Sequence, residues 1–315
     1  MDDLLIAAIN EADIKHVKLK LMQQFEMTDM KELHHFLGIK IVRDLDRGFT
    51  KLSQTNQIER VIARFGMQNC NPVRTPAEPR LQLKREVGKC EYPYRELIGS
   101  LMYIMMGTRP DLCFVVGYLA RFQDVAGEEH WKHAKRVLRY LQYSKNLELV
   151  YRRRPKESTI AGYVDADFAG DETDRKCVSG FLLKVHGNTV AWSSKKQSTV
   201  AMSSTEAEYV AISSCVSETI WMAGLMEDLQ QTKCLYPVLL FENNQGAIAM
   251  AEREETKRVK HIDVKCHFIR DAVAKGTIKL IYIPTQKQPA DILTKSLPAS
   301  TFTALRRTIG LEENN

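Results

Sequence analysis

The chain has 315 residues, 44% of them hydrophobic and 27% charged, enough for one large core or two ordinary ones. Its seven cysteines, at positions 70, 90, 113, 177, 215, 234 and 266, contain no CxxC pair, which argues against a disulfide framework or zinc ribbon and for reduced intracellular thiols. The net charge of +6 is unevenly placed: residues 1–157 hold 27 Lys and Arg against 20 Asp and Glu, whereas residues 158–315 hold 18 against 19. A polyanion lying over the first part would account for that excess, and so would a solubilising surface.

The opening MDDLLIAAIN has no basic segment before its short apolar run, so no secretory signal is expected, and no apolar stretch reads as long enough to span a bilayer. Helix-like stretches flank the alternating FLGIKIV, and the polar DLDRG after it predicts a hairpin turn leading into a strand, FTKLSQ. In NQIERVIARFGM the residues Ile58, Val61, Ile62 and Phe65 fall at helical spacing. Asn71 to Pro93 carries four prolines and reads as a surface loop. Three helices are then predicted over RELIGSLMYIMMG, DLCFVVGYLARFQ and EEHWKHAKRVLRYLQ, the first filled by Met102, Met105 and Met106 and the last with a basic face of Lys132, Lys135, Arg136 and Arg139. RRRPKES marks a domain boundary at residue 157.

Beyond it, strands are predicted at IAGYVDADF, CVSGFLLKV, TVAWSS, PVLLFEN and IKLIYIP, with a long helix from Thr205 to Leu229 capped by Ser204 or Thr205. Three strands followed by alternating helices and strands imply a mixed sheet with helices on its faces. Trp192 and Trp221 read as core residues.

Acidic residues recur where such a sheet places functional groups. Asp165 and Asp167 end the first strand on one face; Glu208 lies on the apolar stripe of the long helix, while Glu206 turns away. Glu242, Asn243 and Asn244 end the strand PVLLF, and Asp291 begins a final helix after the strand ending at Pro284. Four such clusters could converge on a hard cation, although capping and solvated edges produce the same pattern. His261, Asp263, Cys266 and His267 are of zinc-binding type but lack the spacing of a zinc site, and a helix explains them.

The ordered blocks YVDADFAGD, SSTEAEYVAI, ENNQGAIAMA, KHIDVKCHFIRD and QPADILTKSL resemble the RNase H domain of copia-type retrotransposon Pol polyproteins. Upstream, MDDLLIA resembles the end of the family's polymerase motif, and FLGIKI, LSQTNQIERVIARFGM, YRELIGSLMYIMMGTRPDLCFVV and HWKHAKRVLRYLQ resemble the family's segments downstream of that motif. The resemblance implies an α/β (α+β) fold. Residues 1–157 would be the end of a reverse transcriptase, mainly helical; residues 158–298 an RNase H-like five-stranded mixed sheet; residues 299–315 a C-terminal tail. It implies magnesium-dependent cleavage of the RNA strand of RNA/DNA hybrids, with manganese as a substitute and no membrane partner, in the cytoplasm or nucleus.

Carried over by position, Asp165, Glu208 and Asp291 match the family's metal-binding acids, with Asp165 bridging two ions, Glu208 and Asn243 holding one and Asp291 the other. Asn243 stands where the family has aspartate, which implies weakened cleavage. Glu242, its neighbour, is expected to point to the other face of its strand and out of the site. Asp2 and Asp3 match the polymerase aspartates, but the fingers and most of the palm do not precede them, so no polymerisation is expected. Lys257, Arg258 and Lys260, with the basic face at 132–139, are candidate backbone contacts for nucleic acid. A hybrid-binding remnant without cleavage, or a translated relic, is the alternative.

Overall fold

The computed structural model of the chain describes residues 3–85, 91–154, 160–171, 173–229, 236–252 and 263–313. The hairpin expected around DLDRG is formed by β2 (Ile39–Asp44) and β3 (Phe49–Ser53), paired antiparallel, with Gly48 at φ +68 supplying the left-handed conformation that its turn requires. β1 (His35–Phe36) joins β2, and β4 (Leu147–Arg152) joins β3. Helices α2 (Thr55–Arg64), α3 (Tyr94–Gly107), α4 (Cys113–Leu119) and α5 (Glu128–Ser144) build a core with this sheet, α2 through Ile58, Val61 and Ile62 as its spacing predicts. Met102 and Met105 pack against that core, whereas Met106 is exposed. Preceding them, α1 (Glu11–Gln24) buries no residue.

Residues 299–315, read from sequence as a tail, carry structure as far as Glu313. Helix α9 (Ala299–Thr308) buries Phe302 and Leu305, and β10 (Leu311–Glu313) pairs antiparallel with β4, completing a sheet of order β1-β2-β3-β4-β10. Three residues are too few for alternation to announce a strand. The Pro-rich stretch likewise departs from a plain surface loop: Thr75, Ala77, Leu81 and Leu83 are buried. Polar anchors draw it in, among them the Tyr118 hydroxyl, which accepts from Leu83 N at 2.8 Å.

The second sheet has the order β7-β6-β5-β8-β9, from β5 (Ile160–Asp167), β6 (Val178–Val185), β7 (Asn188–Lys196), β8 (Val238–Glu242) and β9 (Ile278–Tyr282). β5, β6 and β7 run antiparallel, and β8 and β9 continue parallel to β5. This is the RNase H-like mixed sheet. Helix α6 (Ser204–Asp228) covers one face, with α7 (Gln245–Glu252) and α8 (Asp263–Ala274) beside it. Its N-cap is Ser203, one residue before the expected pair, and the Ser203 hydroxyl accepts from Glu206 N at 3.2 Å. Contrary to the expectation for apolar stretches, α6 is long and apolar enough to cross a bilayer by length and composition; here it packs on the sheet.

The opposite face of the second sheet leans on the first core. Leu182, Ile292, Leu293 and Leu297 are buried among first-half residues, and Trp192 packs against them. Between the sheets, the Asn188 side chain accepts from Arg152 N at 2.7 Å and donates to Arg152 O at 2.9 Å, the exchange a paired strand would make. The expected boundary at residue 157 lies outside the described residues. Trp221, expected in a core, is 57% exposed on α6, because its position falls on the helix face turned from the sheet.

Candidate catalytic site

Alternation along β5 divides the site between two faces. Ile160, Val164 and Ala166 belong to the core under α6, so Tyr163 and Asp165 point the other way, and Tyr163 stacks on Phe241 of β8 at 4.9 Å. Asp165 is buried there beneath the turn Pro289–Leu293 and the two residues after it. Its Oδ2 accepts from the Thr294 hydroxyl and lies 3.5 Å from Lys295 Nζ. Lys295 Nζ is also 3.2 Å from Asp291 Oδ1. Gln288 fixes this turn to the sheet by donating to Val164 O at 2.7 Å and to Phe241 O at 3.3 Å. Asn243 completes the group, its amide donating to Asp165 Oδ1 at 3.5 Å.

On the α6 face stand two more acids. Glu208 is buried on the helix and accepts from the backbone of Ala166; Glu242 follows Val238 and Leu240 inward at the end of β8 and is wholly buried. Glu242 Oε1 accepts from Asn244 N at 2.8 Å, while Glu208 Oε2 and Glu242 Oε2 have no hydrogen-bond partner. Glu242 thus points to the other face from Asn243, as alternation requires, yet it is not out of the site. The faces meet where the strands end, and there the charges of Glu242 and Asp165 act on one another.

The charges feel one another across that edge. Burial pushes the Glu208 carboxyl far above its ordinary value, and Glu242 and Asp165 push it further. Burial, with Asp165 adding to it, lifts Glu242 to about 8 and Asp291 to about 7. Asp167, half-buried beyond Asp165, is raised for the same reasons. Burial pulls the Lys295 ammonium down, but Asp165 and Asp291 beside it leave it above its ordinary value. Four buried acids with one ammonium among them, set between two of the four, form a cation-seeking cluster. Among the described residues, no three acid, imidazole or thiolate groups stand ready to hold one ion without adjustment. Lys295 already lies between Asp165 and Asp291, and the two glutamates lie on the other face.

Sequence reading placed Asp165, Glu208, Asn243 and Asp291 in one site; the fold brings all four to one edge. That reading set Glu242 outside the site and did not single out Thr294 or Lys295. Glu206, the weaker acid of the helix start by its spacing, is buried and closes that start by accepting from Met202 N at 2.9 Å. On α5 the basic residues are engaged within the chain. Arg136 meets Glu78 Oε1 and Thr75 Oγ1, both at 3.2 Å, Arg139 donates to Asn71 O at 2.6 Å, Lys132 pairs with Glu129, and Lys135 lies over the Trp131 ring. Lys257, Arg258, Lys260, His261 and Asp2 lie outside the described residues. Cys266 is buried in the core beneath α6.

Residues 1–79 match the family model for reverse transcriptase (RNA-dependent DNA polymerase). The chain is 36% identical over 324 residues to the retrovirus-related Pol polyprotein from transposon TNT 1-94 of Nicotiana tabacum, covering 100% of this chain and 24% of that one. It is 36% identical over 315 residues to the Pol polyprotein from transposon RE1 of Arabidopsis thaliana, covering 99% of this chain and 21% of the relative. The chain therefore spans about a quarter or less of the length of these relatives. Among solved structures, the crystal structure of LC11-RNase H1 in complex with RNA/DNA hybrid aligns at 17% identity over 43% of this chain and 93% of that one, with a TM-score of 0.33.

Proposed function

We propose, from the premise that this chain belongs to the Pol polyproteins of copia-type retrotransposons, that its second half is a divalent-cation-dependent ribonuclease cutting the RNA strand of RNA/DNA hybrids. The observation that carries this reading is the set of buried carboxylate oxygens that accept no hydrogen bond, Asp291 Oδ1 beside Lys295 and, with no cation beside them, Glu208 Oε2 and Glu242 Oε2. A buried acid without a donor is costly, and a hard cation with oxygen ligands is the partner that removes the cost. Magnesium fits this donor set, with Asp165, Glu208, Glu242 and Asp291 as its candidate ligands and Asn243 offering a neutral carbonyl. When bound, such an ion supplies the Lewis acidity that activates water and stabilises a leaving oxygen in phosphodiester cleavage.

The chain's own residues perform the positioning. Thr294 and Gln288 hold Asp165 and its turn in place, and the first-half core under Ile292 and Leu293 keeps that turn from swinging away. Glu242 supplies a charge beside Asn243, which offsets the loss that the family comparison alone implies. Recognition of a hybrid would rest on phosphates, groove shape and the 2′-hydroxyl, with the basic excess of residues 1–157 assisting. The test is release of labelled fragments from an RNA/DNA hybrid by the full chain with magnesium, with manganese and with chelator. Binding of hybrid without cleavage under both metals would favour the non-cleaving reading, to which the neutral Asn243 amide on Asp165 lends support.

A further inference from the structure

We infer that Lys295 is a resident cation of the carboxylate cluster, occupying the place between Asp165 and Asp291 that a second divalent ion would take, so that the chain binds one ion instead of two. This rests on reading the cluster as a cation site. Its basis is the asymmetry between the two faces of the strand edge.

On the Asp165 face both Asp165 and Asp291 have a cation beside them, although Asp291 Oδ1, like the two glutamate oxygens, accepts no hydrogen bond. Lys295 Nζ stands 3.5 Å from Asp165 Oδ2 and 3.2 Å from Asp291 Oδ1, and the Thr294 hydroxyl donates to the same Asp165 oxygen. The lysine reaches this position because Thr294 and Lys295 come directly after the turn that carries Asp291, a turn seated on the first core through Ile292 and Leu293. Its side chain is 31% exposed, so it enters from solvent and ends among buried acids. On the α6 face no cation and no donor reaches Glu208 Oε2 or Glu242 Oε2 among the described residues. Both residues are more than nine-tenths buried, so solvent does not replace the missing partner. A single charge at Lys295 partly neutralises two acids, leaving the Glu208–Glu242 side to one divalent ion drawn also by Asp165. A second divalent ion would have to displace an ammonium held by two carboxylates.

The full chain titrated with Mn2+, with bound ion counted by electron paramagnetic resonance, tests this. The Asp165→Asn variant, lacking the acid common to both faces, supplies the background count. Above that background the unmodified chain is expected to bind one ion, Lys295→Arg one and Lys295→Met two. A Met variant that folds, by circular dichroism, only when Mn2+ is added also supports the inference, because the ion then replaces the missing ammonium. Two ions on the unmodified chain would overturn the role of Lys295 while leaving the cation site standing, as would one ion on both the unmodified chain and a folded Lys295→Met. No ion above background would overturn the cation site itself, and the inference with it.

Discussion

Two buried ionic clusters, one in each half, show what charge inside a protein can be for. In the first half, Arg109 and Asp111 pair at 2.7 Å with neither side chain exposed; Arg109 also donates to Ser144 O and Oγ, and the Tyr140 hydroxyl donates to Asp111 at 2.5 Å. From α9, Arg306 adds a bond to the Tyr140 oxygen at 3.2 Å. Within the Arg109–Asp111 pair charge and donors balance, while Arg306 beside it keeps one buried nitrogen, Nε, without a hydrogen-bond partner. In the second half, Asp165 and Asp291 flank the ammonium of Lys295 while Glu208 and Glu242 lie on the other face, and three carboxylate oxygens, Glu208 Oε2, Glu242 Oε2 and Asp291 Oδ1, accept no hydrogen bond. The Arg109–Asp111 pair is neutralised within the chain and serves stability; the second cluster keeps more buried acids than the chain supplies cations for.

Removing a charge should therefore act oppositely in the two places. The largest effect is expected in the first: Arg109→Met strands a buried carboxylate and should cost about 3–5 kcal/mol of unfolding free energy, measured by urea denaturation and indifferent to magnesium. A loss under about 1 kcal/mol would mean that the pair is no stronger than an exposed one. Next, Asp165→Asn should lower hybrid cleavage by more than about 100-fold, beyond what outer-shell changes at metal sites typically cost, without lowering stability in chelator. Cleavage retained within a few fold would remove Asp165 from the chemistry.

Smaller, but opposite in sign to the Arg109 change, is the expected effect of Glu242→Gln. It should stabilise the metal-free chain at pH 8 by on the order of 1 kcal/mol, since about one pKa unit of relieved repulsion is worth that much, and it should weaken stabilisation by magnesium. The pH dependence has the same origin. Glu242 is lifted from 4.5 to about 8 and Asp291 from 3.8 to about 7, so the folded chain keeps protons that the unfolded chain gives up. Metal-free stability should fall as pH rises from about 4 to about 8, and saturating magnesium should flatten that slope. A thermal-unfolding series with and without the ion reads both, and a stability that rises over this range in chelator would contradict the cluster. The least effect is expected from Asn243→Asp. With Glu242 already supplying charge, cleavage should rise by less than about tenfold; a much larger gain would make Asn243 the principal defect.

The succession of elements along the second half was legible because β5 to β9 carry clear apolar runs and punctuating turns, with Asp165 at the end of a strand, Glu208 on the apolar stripe of the long helix and Asp291 after the last of those strands. Glu242 was not. Alternation rightly separated it from Asn243, but the assumption that a site lies on a single face failed where the strands end and the carboxylates converge around the sheet edge. Lys295 and Thr294 carried no periodic signal, since they come after a short turn whose seat is the core of the other half. Trp221 misled because an aromatic residue in an apolar helix reads as core until the covering face is known. The short β10 and the buried part of the Pro-rich stretch depend on distant partners, Leu147–Leu149 for one and Tyr118 and Arg136 for the other, that local pattern does not announce.

The return of α9 and β10 to the first sheet also sets a timetable for synthesis. Arg306 and Tyr140 lie 166 residues apart in sequence, and the whole RNase H-like sheet is made between them. At about 5–20 residues per second, translation separates the two by roughly ten to thirty seconds. Through that interval β4 has an open edge and the Tyr140 pocket lacks its arginine. The nascent first half would thus wait, partly assembled, while the second sheet forms behind it, and would close only after α9 and β10 are made.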